Sequence, residues 1–227
     1  MKETVYSASS FTLTLEGKFA YLEGVTPRGP EKIALYNALC TECASARLVP
    51  GNARWNRWIE DMFPGRFRTV TRFRLEGDET TFDRERLEKA VGGFPEGFSL
   101  KPFDEEIMAK AAAEEWSSDF VNGLSEPQRA VAEGTCYAAL QDDMIVSGCT
   151  GCILSPDLME VEIITRKGYR KRGMATASAA SVILACLEKD IRPAWDASSL
   201  FTVMLAEKQG FRCVREYQVY EISVEDL

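Results

Sequence analysis

The sequence predicts a mixed α/β protein, and three patterns support this fold class. Residues alternate in polarity, as in half-buried strands, over Phe67–Leu75 and Phe211–Ile222. Apolar residues recur at helical spacing over Pro30–Val49 and Ser198–Gln209. A β-branched run, Val161–Thr165, leads through a basic turn into a long apolar helix, which indicates a buried strand followed by a buried helix.

The first part of the chain predicts a hairpin and two helices. The segment FTLTLEGKFAYLEG is expected to turn at residues 16–18. The first helix has Pro30 in its opening turn, where a missing N–H costs nothing. The second covers GNARWNRWIEDMF, and its Trp55 and Trp58 are assigned to the core rather than to an aromatic cage.

The strand FRTVTRFRL carries its arginines on one face. Alternation separates the side chains of Phe67, Phe73 and Leu75 from this arginine face. We expect an exposed sheet face here, and the alternative is a pocket for an anionic group. The turn-rich segment GGFPEG follows and predicts a boundary between a smaller α/β lobe, residues 1–96, and a second domain, residues 97–227.

The second domain begins with a strand and helical pieces between Phe98 and Gly134, around EEIMAKAAAEEW. Thr135–Leu154 predicts two strands joined by a turn at Asp142 and Asp143. The strand Val161–Thr165 then stops near a basic loop that contains Gly173. Free backbone N–H groups and the positive end of the following helix converge on this loop, which is the geometry of an anion site.

Glycine-rich phosphate motifs of other folds do not fit this loop. The chain contains neither G-x-x-x-x-G-K-[ST] nor G-x-G-x-x-G after a strand. The remaining pattern is R-x-x-G-x-A, formed by Arg170, Gly173 and Ala175. With the strand before it and the helix after it, the loop resembles the pyrophosphate loop of the GNAT superfamily of acyl-CoA N-acyltransferases.

The downstream segments extend the resemblance. Ile191–Trp195 predicts a short strand, and the next helix has Leu200, Val203 and Met204 on one face and Gly210 as its left-handed cap. The resemblance covers Phe98–Leu227. The sequence motifs W-D-A and L-A-E-K-x-G-F are similar to those of the subgroup that contains the zwittermicin-resistance acetyltransferase. It implies a central, mostly antiparallel twisted sheet flanked by helices. The N-terminal lobe is then interpreted as a degenerate half of the same kind.

The resemblance also implies a reaction and a donor. An acetyl group passes from acetyl-CoA, the co-substrate, to a primary amine of a small molecule. The fourth strand of the family would pair with the pantetheine amides, and the loop would hold the pyrophosphate. The corresponding residues here are Ile163, Ile164, Thr165, Arg170, Lys171, Arg172, Gly173, Met174, Ala175, Thr176 and Ser199.

The catalytic groups depart from the family pattern. Many relatives carry Asn where this chain has Ser199, and many carry the acid Tyr where it has Ala206. Tyr217 is assigned as the replacement acid, with Tyr220 and water as alternatives. Glu162 and Glu160 share a strand face and are the candidate bases, while the alternative is that both are solvent-facing carboxylates.

Composition excludes several classes of function. The chain has no histidine, so triads that need histidine and zinc sites that use it are ruled out. It has 35 acidic and 27 basic residues, which argues against nucleic-acid binding and favours a cationic amine. No apolar run is long enough for a membrane span and the first residues are polar, so a cytoplasmic protein without membrane association is expected.

Two C-x-x-C pairs occur among the seven cysteines, Cys40 with Cys43 and Cys149 with Cys152. A zinc site built from both is the alternative to buried thiols, which we favour because the second pair lies on a strand. No metal is therefore expected.

Two further functions stay open: a non-catalytic acyl-CoA-binding or regulatory protein, and an aminoacyl transferase that uses charged tRNA. The oligomeric state, monomer or homodimer, is also open.

Overall fold

The computed structural model describes residues 3–8, 10–16, 19–41, 47–122 and 131–222. It confirms a mixed α/β fold in which sheet strands are flanked by helices. The chain forms two compact units, one of Met1–Arg72 with Glu216–Leu227 and one of Phe73–Arg215. These units do not coincide with a division at residue 96, and the division into two domains stays a prediction.

Among the described residues, the first unit contains two helices beside strands in the order β1-β2-β3-β4-β11, and it also includes residues 67–72 of a further strand. Its elements are β1 Glu3–Ser7, β2 Phe11–Glu16, β3 Phe19–Gly24, α1 Pro30–Thr41, β4 Arg47–Pro50, α2 Ala53–Met62 and β11 Arg212–Ile222. The predicted hairpin is present as the antiparallel pair β2 and β3, while its turn residues Gly17 and Lys18 lie outside the described residues. The core assignment of both tryptophans is confirmed, since Trp55 is 0% and Trp58 is 7% exposed.

The predicted length of the first helix was wrong. The helix ends at Thr41, and Arg47–Pro50 is a strand instead. This strand runs parallel to β3, with Leu48 opposite Ala20, and antiparallel to β11, with Leu48 opposite Tyr220. Pairing on both edges with strands that are distant in sequence outweighs the local helical spacing.

The second unit has the strand order β5-β10-β9-β8-β7-β6. Among the strand pairs of the described residues in this unit, only β10 and β9 are parallel, so the expectation of a mostly antiparallel sheet is confirmed. The elements in chain order are β5 Phe67–Glu76, α3 Arg84–Gly92, β6 Ser99–Pro102, α4 Glu105–Ala113, α5 Glu115–Asn122, β7 Cys136–Gln141, β8 Met144–Ser155, β9 Leu158–Thr165, α6 Met174–Leu187, β10 Arg192–Ala197 and α7 Leu200–Gln209. Strands β5 and β11 contribute residues to both units.

Each face of this second sheet has its own apolar cluster. One cluster joins residues of α3, α6 and α7 with Val161 and Trp195 of the sheet. The other joins α4 and α5 with β7 and reaches Ile164 on β9. Side chains alternate along a strand, so Val161 and Ile163 face α6, whereas Glu160, Glu162 and Ile164 face the opposite side.

Two predicted faces were wrong. On β5, Arg68 is exposed, but Arg72 is 9% exposed and Arg74 is only partly exposed, so the arginines do not form one exposed face. On α7, the buried residues are Val203, Ala206 and Gln209, whereas the predicted apolar face leaves Leu200 and Met204 largely exposed. Apolar spacing along a helix identifies neighbouring side chains, but the packed neighbours decide which of them are covered.

Among the described residues, every helix is too short or too polar to cross a membrane.

Candidate active site

Strands β9 and β10 separate part-way along their length. They pair in parallel from Leu158 opposite Arg192 to Val161 opposite Trp195, and within the described residues their register ends there. On its other edge β9 stays paired with β8 as far as Thr165. The backbone N–H and C=O groups of Glu162–Ile164 that face β10 are therefore available to an extended ligand that adds to the strand.

The basic loop ends at a helix that has no side-chain cap. Gly173 takes the N-cap position of α6 with φ of 87°, a left-handed conformation that favours glycine. Its carbonyl accepts the first helical hydrogen bond, from Ala177, at 3.1 Å. The N–H groups of Met174, Ala175 and Thr176 precede that bond and are free to bind an anion at the positive end of the helix. A Cβ at position 173 would have no atom within 4 Å, so the space in front of the loop is open.

The loop cations have different surroundings. Arg170 donates from Nε to the Thr165 carbonyl at 3.1 Å, which ties the loop to the end of β9. The Arg172 guanidinium lies over the Tyr169 ring, 5.3 Å from its centroid. Lys171 is exposed and has a φ of 63°, so two residues of the loop, Lys171 and Gly173, have a left-handed backbone. These residues of the donor-site prediction lie together on one loop, and their contact with a donor stays a prediction.

Ser199 and the C-terminal end of α7 are held by hydrogen bonds. The Ser199 Oγ caps α7 by accepting from the Thr202 N–H at 3.2 Å. Gln209, 3% exposed, donates from Nε2 to the Thr176 carbonyl at 3.2 Å and so joins α7 to the first turn of α6. Ala206 is 0% exposed, so the position of the usual acid is a packed methyl group.

Where β9 and β10 separate, one face of the second sheet is polar. Ala194 lies opposite both Glu160 and Glu76 in the strand register, and Asp196 lies opposite Arg74. Register partners share a face, so Asp196 projects on the same side as Glu160 and Glu162. Asp196 is 9% exposed and directly follows Trp195, the last residue of β10 that pairs with β9. Sequence reasoning missed Asp196, although its alternation with buried Trp195 was readable.

Arg166 fixes the helices on this face to the end of β9. Its guanidinium forms an ion pair with Glu114, which joins α4 to α5, and lies over the Trp116 ring, 5.0 Å from the centroid. Trp116 also donates from Nε1 to the Glu114 carboxylate at 2.9 Å. This cluster holds the helix junction beside the strand that carries Glu162.

The two candidate acids have different environments in the first unit. Tyr217 on β11 is half-buried against Phe19, Val49 and Val219, and its role as acid stays a prediction. Tyr220 donates its hydroxyl to Glu60 Oε1 at 2.8 Å. Burial, and then the hydrogen bond to Glu60, raise the pKa of Tyr220 to about 12. This makes Tyr220 a poor proton donor near neutrality.

The cysteine pairs have separate surroundings. Cys149 packs in the cluster that faces α6, whereas Cys152 packs on the α4 and α5 side. Cys43 lies outside the described residues. In the part of the chain that the structure describes, no three Cys, Asp or Glu side chains converge as ligands for a metal ion.

We expect the buried thiols to resist alkylation in the folded protein. Burial raises the pKa of Cys136 to about 11 and that of Cys186 to about 12, and it raises the pKa of Cys149 well above the usual value. At about pH 8 these thiols are protonated and shielded, while Cys213 is exposed. Iodoacetamide should alkylate Cys213 at least about tenfold faster than the three buried thiols, as measured by peptide mass spectrometry. This difference in rate should vanish in urea. Equal labelling of Cys149 in the folded protein would contradict this.

Comparison with known proteins agrees with the geometry. The profile of the GNAT acetyltransferase family matches residues 4–220. A curated Bacillus subtilis (strain 168) protein, uncharacterized N-acetyltransferase YdfB, is 32% identical over 130 residues, which are 56% of this chain and 49% of that protein. The chain thus spans about half the length of this curated relative.

Two crystal structures have the same fold. A GCN5-related N-acetyltransferase-like protein from Streptococcus suis 89/1591 matches with a TM-score of 0.83 and 32% identity, over 98% of this chain and 88% of that one. A putative acetyltransferase of the GNAT family from Novosphingobium aromaticivorans DSM 12444 matches with a TM-score of 0.58 and 16% identity, over 97% and 91% of the two chains. The family profile covers nearly the whole chain, and we conclude that this protein belongs to the GNAT acetyltransferase family.

Proposed function

We propose that the protein is an N-acetyltransferase that moves an acetyl group from acetyl-CoA to a primary amine of a small molecule. The observation that carries the proposal is the separation of β9 from β10 next to the uncapped start of α6. An open strand edge suits the amides of a pantetheine arm, and free helix N–H groups suit a pyrophosphate. Both features lie at the C-terminal end of β9, so one extended donor can reach both.

Each part of the reaction has a candidate group. The amine nitrogen bonds to the thioester carbonyl carbon, the carbon–sulfur bond breaks, and the sulfur leaves as a thiol. Glu162 accepts the proton that the ammonium loses, with Glu160 as the second candidate. Tyr217 supplies the proton to the departing thiolate and regains one from the second proton that the nitrogen loses as the amide forms. Backbone groups of Ile163–Thr165 and of residues 170–176, with Ser199, hold the donor in place.

Other properties belong to the same proposal. A cytoplasmic location fits the acidic composition, as does action on small amines without nucleic-acid or membrane partners. Kinship with the zwittermicin-resistance subgroup rests on the W-D-A and L-A-E-K-x-G-F segments. The homologous half-lobe in residues 1–96 and a monomer or homodimer are likewise proposals.

A second function is favoured by one observation. Ala206 is fully buried where many relatives have an acid, and a protein that binds acyl-CoA without turnover has no need of that acid. Calorimetric titration with acetyl-CoA and CoA, followed by a turnover assay over a panel of amines, distinguishes the two functions. Saturable binding with turnover supports the enzyme, and binding without turnover supports the second function. The absence of binding would overturn both.

A further inference from the structure

A concavity lies on the same polar sheet face as the candidate bases, toward the start of β9. Its volume is about 520 Å³. The strands β5, β9, β10 and β11 line it, and all its residues belong to the second unit. Its charged and apolar lining includes Arg74, Arg192, Arg212, Glu76, Leu158 and Val214.

The strand register places residues of this concavity beside the carboxylates of Glu160 and Asp196. Arg74 lies opposite Asp196, and Ala194 of the concavity lies opposite Glu160. Leu158 and Glu162 are four residues apart on β9, which is about 13 Å at ~3.3 Å per residue. The same face therefore has Glu162 and Asp196 at the separated end of the strands, Arg74 beside Asp196, and the other arginines in the concavity.

The three arginines of the concavity differ in how closely a carboxylate pairs with them. Arg192 pairs with Asp157 at 3.3 Å, and Arg74 Nε is 3.8 Å from Glu76. Arg212 is exposed and forms no ion pair within 4 Å among the described residues, although the Asp78 carboxylate is close enough to interact with its charge. A guanidinium binds a planar carboxylate with two parallel hydrogen bonds. The nearby carboxylates of Glu76 and Asp78 disfavour a doubly charged group such as phosphate.

We propose that the acceptor is an amino carboxylate whose ammonium and carboxylate lie at opposite ends of an apolar chain. This inference rests on the proposed function, because it places the amine at Glu162 and Asp196, where the donor thioester would lie. Arg212 binds the carboxylate at the other end. The apolar side chains of Leu158 and Val214 contact the hydrocarbon between the charged groups.

The test compares two probes that differ only in the distal group. The protein, with CoA present, is titrated calorimetrically with 8-aminooctanoate and with 8-aminooctan-1-ol. We expect the carboxylate to bind about tenfold tighter, the effect of one charge-assisted pair. Arg212→Gln should abolish this preference. Arg84→Gln, which changes a half-exposed arginine on α3, is the matched control and should keep it.

Equal affinity for the two probes, binding of neither, or an unchanged preference in Arg212→Gln would overturn the inference. The proposed function is tested separately in the same samples, by acetyl-CoA binding and by transfer to simple amines. A protein that acetylates both probes equally would keep its proposed function and lose this acceptor class.

Discussion

Replacing Gly173 by Trp is expected to abolish acetyl-CoA binding. The bulky side chain would occupy the open space in front of the uncapped N–H groups of α6, where a pyrophosphate would have to approach the backbone. We expect affinity to fall by at least about 100-fold, because removing several charge-assisted hydrogen bonds costs roughly 3 kcal/mol or more. Calorimetry with acetyl-CoA measures the loss.

Two controls separate steric blocking from strain. Gly173→Ala adds a Cβ that meets no atom within 4 Å, but at φ of 87° it costs roughly 1–2 kcal/mol of stability. Gly168→Ala, earlier in the loop, also meets no atom and does not need a left-handed backbone. We expect intact binding for Gly168→Ala and a smaller loss for Gly173→Ala than for Gly173→Trp. Unchanged affinity in a folded Gly173→Trp protein would remove the loop from the donor site.

Changing Glu162 to Gln should lower kcat by about 10²–10⁴-fold and leave the binding of acetyl-CoA unchanged. The amide keeps the shape of the side chain but cannot take a proton from the acceptor ammonium. Glu162 is the first β9 residue beyond the paired part of β9 and β10, so it lies where an acceptor can approach. Steady-state kinetics over a range of pH should also show that the acidic limb of the kcat/KM profile is lost.

Glu160→Gln is the matched control for this second prediction. Glu160 shares the face of Glu162, but it lies opposite Ala194 where the strands are still paired. We therefore expect Glu160→Gln to lower kcat less than Glu162→Gln does. Unchanged turnover in Glu162→Gln would exclude Glu162 as the base, and a larger effect in Glu160→Gln would transfer the role to that residue.

Local sequence was most informative where one short segment contains all the determinants. The strand, the glycine turn and the helix were all predicted from consecutive residues, and the structure has them as Leu158–Thr165, a loop that contains Gly173, and Met174–Leu187. The predicted left-handed cap at Gly210 is confirmed and needs only local steric rules. The same is true of the β7–β8 turn, where Asp142 has a positive φ. Helix α3 was missed, although Asp83 caps it, because its short polar pattern is weak.

Tertiary structure decided everything that depends on neighbours distant in sequence. Arg47–Pro50 is a strand because two other strands pair with it, and Leu200 is exposed because the packed face of its helix is the one with Val203 and Ala206. The sequence by itself indicated the family, and it identified a candidate donor loop and the pair Glu160 and Glu162 as candidate bases. Only the strand register brought Asp196 and Arg74 onto their face, because side chains from separate strands meet through hydrogen-bonded pairing that no local pattern encodes.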